Sequence, residues 1–177
     1  MMARVIHEEG PEMGRINLLL SILIRYPQIS TVKYLEQGTV RFTFMFKTEE
    51  PLAQEELATR IKQSLLAHCQ LLGDEAECCQ VGFKDLNMYG SLEVTRDLGS
   101  LSGAEITLLI SLVRDGLGPR LMIENQELMA EEIVYQDEVI SSLLEDLREF
   151  PKGNTLSGLR ENGHVLVFNH QDVDLRR

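Results

Sequence analysis

Apolar positions along the chain change period several times, and each change marks an element. Between residues 13 and 26, Ile16, Leu19, Leu20, Leu23 and Ile24 recur at helical spacing, Arg15 and Arg25 lie off the stripe, and Pro27 ends the run. This pattern predicts an amphipathic first helix. Next, Thr31 to Leu35 and Thr39 to Lys47 flank Glu36, Gln37 and Gly38, which reads as a β-hairpin. Its second arm alternates strictly, with Val40, Phe42, Phe44 and Phe46 on one face and Arg41, Thr43, Met45 and Lys47 on the other.

Pro51 suits the first turn of a second helix, in which Leu57, Ile61, Leu65 and Leu72 keep a 3.6-residue spacing up to Gly73. After an acidic turn at 74–77, Cys79, Val81 and Phe83 alternate as a strand, and Ser91 to Thr95 reads as another beyond a turn at Tyr89 and Gly90. Ser102 and Glu105 have the spacing of a capping box, with Ile106, Leu109, Ile110 and Val113 as the buried stripe of helix three. That helix ends at 116–119, and Arg120 to Glu124 follows as a short strand. Residues 126–150 are mostly helical by pattern. Ile133 to Tyr135 could belong to an extended segment, so the last helix starts near Gln136, with Val139, Ile140, Leu143, Leu144, Leu147 and Phe150 at core spacing. A loop rich in Gly, Asn and Ser at 152–158 leads to a final strand, His164 to Asn169.

The predicted order is α-ββ-α-β(β)-α-β-α-β, an α+β fold arranged as a two-layer α/β sandwich. Alternating helices and strands in the second half argue for a mixed sheet, while the first hairpin demands an antiparallel pair. Residues 1–177 read as one domain with its core over 13–170; a subdomain boundary, if there is one, falls at 86–90.

Composition narrows the function. At 44% apolar and 25% charged, the chain has enough hydrophobic residues for a core without staples. The net charge of −11 repels a phosphate backbone and disfavours nucleic acid as a partner. Cys69, Cys78 and Cys79 are odd in number and two are adjacent, which argues against a disulfide framework and for a reducing, cytoplasmic setting. The longest apolar stretch, Ile16 to Ile24, is too short to cross a bilayer, and Glu8, Glu9 and Glu12 stand where a signal peptide would be basic.

Candidate chemistry is sparse. His68, Cys69, Cys78 and Cys79 are zinc-ligand types, but His68 and Cys69 are neighbours on a helix and point about 100° apart. No metal and no cofactor is expected, with Cys69, Cys78 and Cys79 as the thiols to watch. The Phe42, Phe44 and Phe46 strand could stack bases as in single-strand RNA binders, yet with few other aromatics its better use is a buried sheet face. Gly116 and Gly118 follow a helix instead of opening one, so they do not form a phosphate loop. His164, Leu166, Phe168 and His170 share one side of the last strand, where the two histidines lie about 20 Å apart and cannot share a metal. Acidic pairs such as Glu55 with Glu56 and Glu131 with Glu132 read as solvated helix faces.

The leading expectation is a non-enzymatic protein-interaction or regulatory domain, a homodimer or a binder of another protein, acting through a sheet edge or through the apolar first helix. An alternative is a small-molecule-binding or enzymatic domain in which Arg96, Asp97 and Arg160 converge between sheet and helices. A second is an RNA-associated module.

Overall fold

A computed structural model describes residues 2–48 and 51–170, with side chains from residue 10 onward. Among the described residues six strands form one sheet: β1 Thr31–Leu35, β2 Thr39–Lys47, β3 Cys79–Leu86, β4 Tyr89–Asp97, β5 Leu156–Glu161 and β6 His164–Asn169. Their order across the sheet is β3-β4-β2-β1-β5-β6, and each neighbouring pair is antiparallel. The described helices α1 Met2–Arg25, α2 Gln54–Leu71, α3 Gly103–Leu117 and α4 Ala130–Leu147 cover one face. The α+β two-layer expectation holds, with an antiparallel sheet in place of a mixed one.

Two local causes account for that difference. The segment read as a strand at 120–124 is a 3₁₀ turn, Gly118–Arg120, followed by a single bridge between Leu121 and Phe46, so it never becomes a full sheet member. The loop read at 152–158 instead runs into β5, which pairs with β6 across the turn at Asn162 and Gly163 and slots that hairpin beside β1. Residues 86–90 carry the turn between β3 and β4, which pair from Cys79 with Arg96 to Leu86 with Tyr89.

The alternation in β2 settles its orientation. Val40, Phe42, Phe44 and Phe46 are buried beneath the helices, in one contiguous core with Leu57, Ile61 and Leu65 of α2 and Ile106, Leu109, Ile110 and Val113 of α3. Cys69, and not Leu72, closes the buried stripe of α2, and Leu72 is exposed. The last helix starts at Ala130, so Ile133 to Tyr135 are helical, and Phe150 lies beyond its end, half exposed.

Helix α1 bends at Gly10, whose φ of 84° is open to glycine and strained for other residues. Its apolar face packs at home. Leu18, Leu19, Ile22 and Leu23 are fully buried, each worth roughly 2 kcal/mol of burial. Gly158 of β5 lets Leu19 and Leu23 approach the sheet; a Cβ there would lie 2.9 Å from Leu23. Farther along, the Arg15 guanidinium lies over the Tyr34 ring and donates to the Phe150 carbonyl at 3.4 Å, while the Tyr34 hydroxyl donates to the Pro151 carbonyl. The start of the chain is thus tied to the connection between α4 and β5.

The opposite face of the sheet bears no described helix. Reading across β3-β4-β2-β1-β5-β6, one row carries Gln80, Thr95, Arg41, Lys33, Ser157 and Phe168, and the next carries Gly82, Glu93, Thr43, Thr31, Leu159 and Leu166. Such polar-out alternation is how an antiparallel sheet faces water on one side. Towards β6 the rows turn apolar.

Candidate functional site

Arg96 and Asp97 end β4, and the short helical turn Leu98–Ser100 brings the chain round to α3. Arg96 points to the helix side and is 0% exposed. Its Nε donates to Glu105 Oε2 at 2.7 Å, and one terminal nitrogen donates to Glu105 Oε1 at 2.8 Å, a two-pronged pair. That same nitrogen also donates to Ser100 Oγ at 3.1 Å, and the other terminal nitrogen donates to the Cys78 carbonyl at 2.9 Å and to Asp97 Oδ1. All five guanidinium N–H groups therefore have acceptors. Asp97 is held in turn by the Ser100 hydroxyl at 2.6 Å and the Cys78 N–H at 3.1 Å.

Burial alone would lower the Arg96 pKa, but the hydrogen bonds and charge of Glu105, helped by Asp97, reverse that and raise it. Burial would likewise raise Asp97, yet the Ser100 and Cys78 hydrogen bonds and the Arg96 charge bring it below the ordinary carboxylate range. Only half of the capping box is of the expected kind. Ser102 Oγ accepts from the Glu105 N–H at 3.2 Å, whereas the Glu105 carboxylate turns inward to Arg96.

Arg160 stands elsewhere. It sits on β5, three strands from β4 and so about 14 Å across the sheet, and it closes the C-terminal end of α1. It donates to the carbonyls of Leu23 and Tyr26, to Ile29 O at 3.1 Å, and to Gln126 at 3.4 Å, with Glu124 at 3.7 Å. A cation is well placed against the negative end of a helix dipole. Burial lowers its pKa, and Glu124 offsets this only in part. The structure thus brings Arg96 and Asp97 together, adds Glu105 and Ser100 to them, and keeps Arg160 apart.

The thiols of Cys69, Cys78 and Cys79 are free. Cys69 is buried against the Ser100 carbonyl, Cys78 reaches the Thr95 carbonyl, and burial raises the Cys79 pKa, the opposite of a reactive thiolate. Among the described residues no group of three or more His, Cys, Asp or Glu side chains could hold a metal. No helix among them is long and apolar enough to cross a membrane.

Several surface depressions lie away from the two arginines. One of about 440 Å³ sits between the α1 bend and the end of α4, lined by Gly10, Pro11 and Gly14 and by Glu145, Asp146 and Glu149 among others. The phenylalanines of β2 lie under the helices, where no base can stack on them.

Exposed apolar residues occur at several places, among them Leu86, Met88 and Tyr89 at the β3–β4 turn, Met122 with Ile123, and β6. Leu166 is 38% and Phe168 44% exposed on the bare face, beside Leu159 of β5. The strand from Val165 to Asn169 carries no formal charge, whereas β3 at the opposite edge carries Lys84 and Asp85. The sequence showed Leu166 and Phe168 sharing a side; that this side lies bare required the position of β5. Comparison of the chain with protein-family models, with curated proteins and with solved structures gives no significant match.

Proposed function

We propose that the chain is a non-enzymatic protein-interaction or regulatory domain that associates with itself, and that a sheet edge makes the contact. The observation that carries this reading is the uncharged, apolar β6 at the rim of a sheet whose second face is bare, in a chain of net charge −11. Exposed strand edges of this composition are templates for further strands unless they are blunted by charge or proline. The other route, the apolar first helix, is used at home: Leu18, Leu19, Ile22 and Leu23 are buried within their own chain. Arg96, Asp97 and Arg160 are consumed by internal hydrogen bonds that hold the fold, which weighs against their serving as ligand-binding groups. The negative charge favours a protein over a nucleic acid as partner, and three free thiols suit a reducing cytoplasm.

Sedimentation velocity over a wide concentration range tests the reading. The mass should rise from 20.1 kDa toward twice that value. A strict monomer at the highest concentration overturns self-association.

A further inference from the structure

We infer that the bare face of the sheet is a docking surface for an acidic amphipathic helix of a partner protein, a use separate from the contact made at the β6 edge. An electrostatic anomaly points to it. In a chain of net charge −11, the central row of this face carries Arg41 and Lys33, half-buried and directly opposed in the β1–β2 register. Like charges set opposite each other across two strands are destabilising. Among the described residues no carboxylate pairs with either cation. Arg41 donates to Thr95 Oγ1 at 3.2 Å, and Ser157 stands beyond Lys33. Glu93, in the next row, is taken by Lys84 at 3.2 Å.

Apolar side chains continue the face beyond that row. Leu121 bridges Phe46 on the helix side, and the Met122 N–H donates to the Met45 carbonyl at 2.9 Å, which sets Met122 beside Met45 on the bare side. Leu86 faces Tyr89 in the β3–β4 register, and Tyr89 lines a depression of about 410 Å³ with Met88 and Lys47. Leu86, Met88, Tyr89 and Met122 are exposed, and flexible methionines adapt to a partner's surface.

Backbone chemistry and charge select the occupant. Within the sheet the strands spend their N–H and C=O groups on one another, so a segment lying on the face must satisfy its own, as a helix does. Carboxylates of that helix meet Lys33 and Arg41, and its apolar groups meet Met45, Met122 and Tyr89. Arg41 and Met45 lie about 13 Å apart along β2. That span corresponds to about nine residues of helix, so acidic and apolar groups more than two turns apart complement the face. A nucleic acid carries phosphate along its whole length and would set charges that need water against Met45, Met122 and Leu86.

The probe is a fluorescein-labelled amphipathic peptide of about 20 residues, with Glu at one end of its stripe and Leu at the other, read by fluorescence anisotropy. The parent chain should bind it saturably, and less tightly as salt rises. Lys33→Glu replaces a repelling cross-strand pair with an attracting one. It should weaken binding roughly tenfold or more while raising the thermal midpoint by about 1–4 °C. Met122→Glu should weaken binding too, whereas Lys62→Glu, on the exposed side of α2, should not. Absence of saturable binding, equal binding of a peptide with Lys in place of each Glu, or an affinity unmoved by Lys33→Glu overturns the inference. So does tighter binding of a single-stranded oligoribonucleotide, which would put nucleic acid on the face. Sedimentation of the same variants keeps this surface and the β6 edge apart: self-association that survives Lys33→Glu belongs elsewhere, as the inference requires, and self-association lost in Lys33→Glu puts a second copy on the face and overturns it. Should Lys33→Glu fail to fold, Met122→Glu against Lys62→Glu decides alone.

Discussion

Arg96 is fully buried and Arg160 partly so, with 7% of its side chain exposed; both lie on the helix-facing side of one sheet, yet they are compensated by different means. Arg96 faces two carboxylates, Glu105 and Asp97, and its pKa is raised despite burial. Arg160 faces mainly carbonyl dipoles at the end of α1, with Glu124 farther off and partly in water, and its pKa is lowered. Full charges in a dry site pair so tightly that removing one strands the other, whereas carbonyls released from an arginine can turn to water or to another donor. Burial therefore does not rank these two residues; what their partners would be left with does.

The largest effect should come from Arg96→Leu, which leaves Glu105 and Asp97 buried without their cation. Stability measured by urea unfolding should fall by about 3–5 kcal/mol. Arg160→Met should cost less, about 1–3 kcal/mol, since it frees neutral acceptors near the surface. If the two losses are equal, the distinction between charge and dipole compensation fails.

Acid provides a second way to separate the regions. Asp97 is held below its ordinary value in the folded chain. Its contribution is whole above the unfolded value of about 3.9 and is lost as pH falls through the lower folded value. Asp97→Asn should therefore flatten the fall in stability below about pH 4. Arg160→Met should leave that limb unchanged, because an arginine does not titrate there. The smallest effect belongs to Lys84, paired with Glu93 at 3.2 Å on the bare face and 62% exposed. Thermal unfolding should show that Lys84→Ala changes stability by less than about 1 kcal/mol, a measure of what the same charge pairing is worth in water.

Much of the fold was legible where residues alternate or punctuate cleanly. The bounds of β1, β2 and β6 agree with the pattern because Val40, Phe42, Phe44 and Phe46 bury one face, and because His164 to Asn169 alternates between Val165 and Val167 inward and Leu166 and Phe168 outward. β5 was not legible. Its helix-facing positions are Leu156, Gly158 and Arg160: one is an ordinary core residue, one is absent so that α1 can approach, and one is a polar cap for that helix. A strand whose inward residues are chosen for a neighbour's shape has no period of its own to display. With β5 hidden, the antiparallel closure of the sheet was hidden too.

Among the candidate residues, sequence reasoning grouped Arg96, Asp97 and Arg160 as polar residues near the sheet and paired Glu105 only with Ser102. The spacing of Ser102 and Glu105 fits a capping box equally well whether the carboxylate turns back or turns in. Arg96 on the inner face of β4 decides it, and that needs the register with β2 and β3.

The clasp of Arg160 on α1 also orders events during synthesis. β2, β1, β4 and β3 can pair once residue 97 has been made, by hairpins between near neighbours in sequence. Helix α1 must wait, because the carbonyls of Leu23, Tyr26 and Ile29 are met by a side chain made more than 130 residues later, and Arg15 waits for the Phe150 carbonyl. Contacts so distant in sequence form late and slowly. Until those residues are made, α1 lacks the packing that α4, β5 and β6 supply, and the apolar surface left open can associate with other chains.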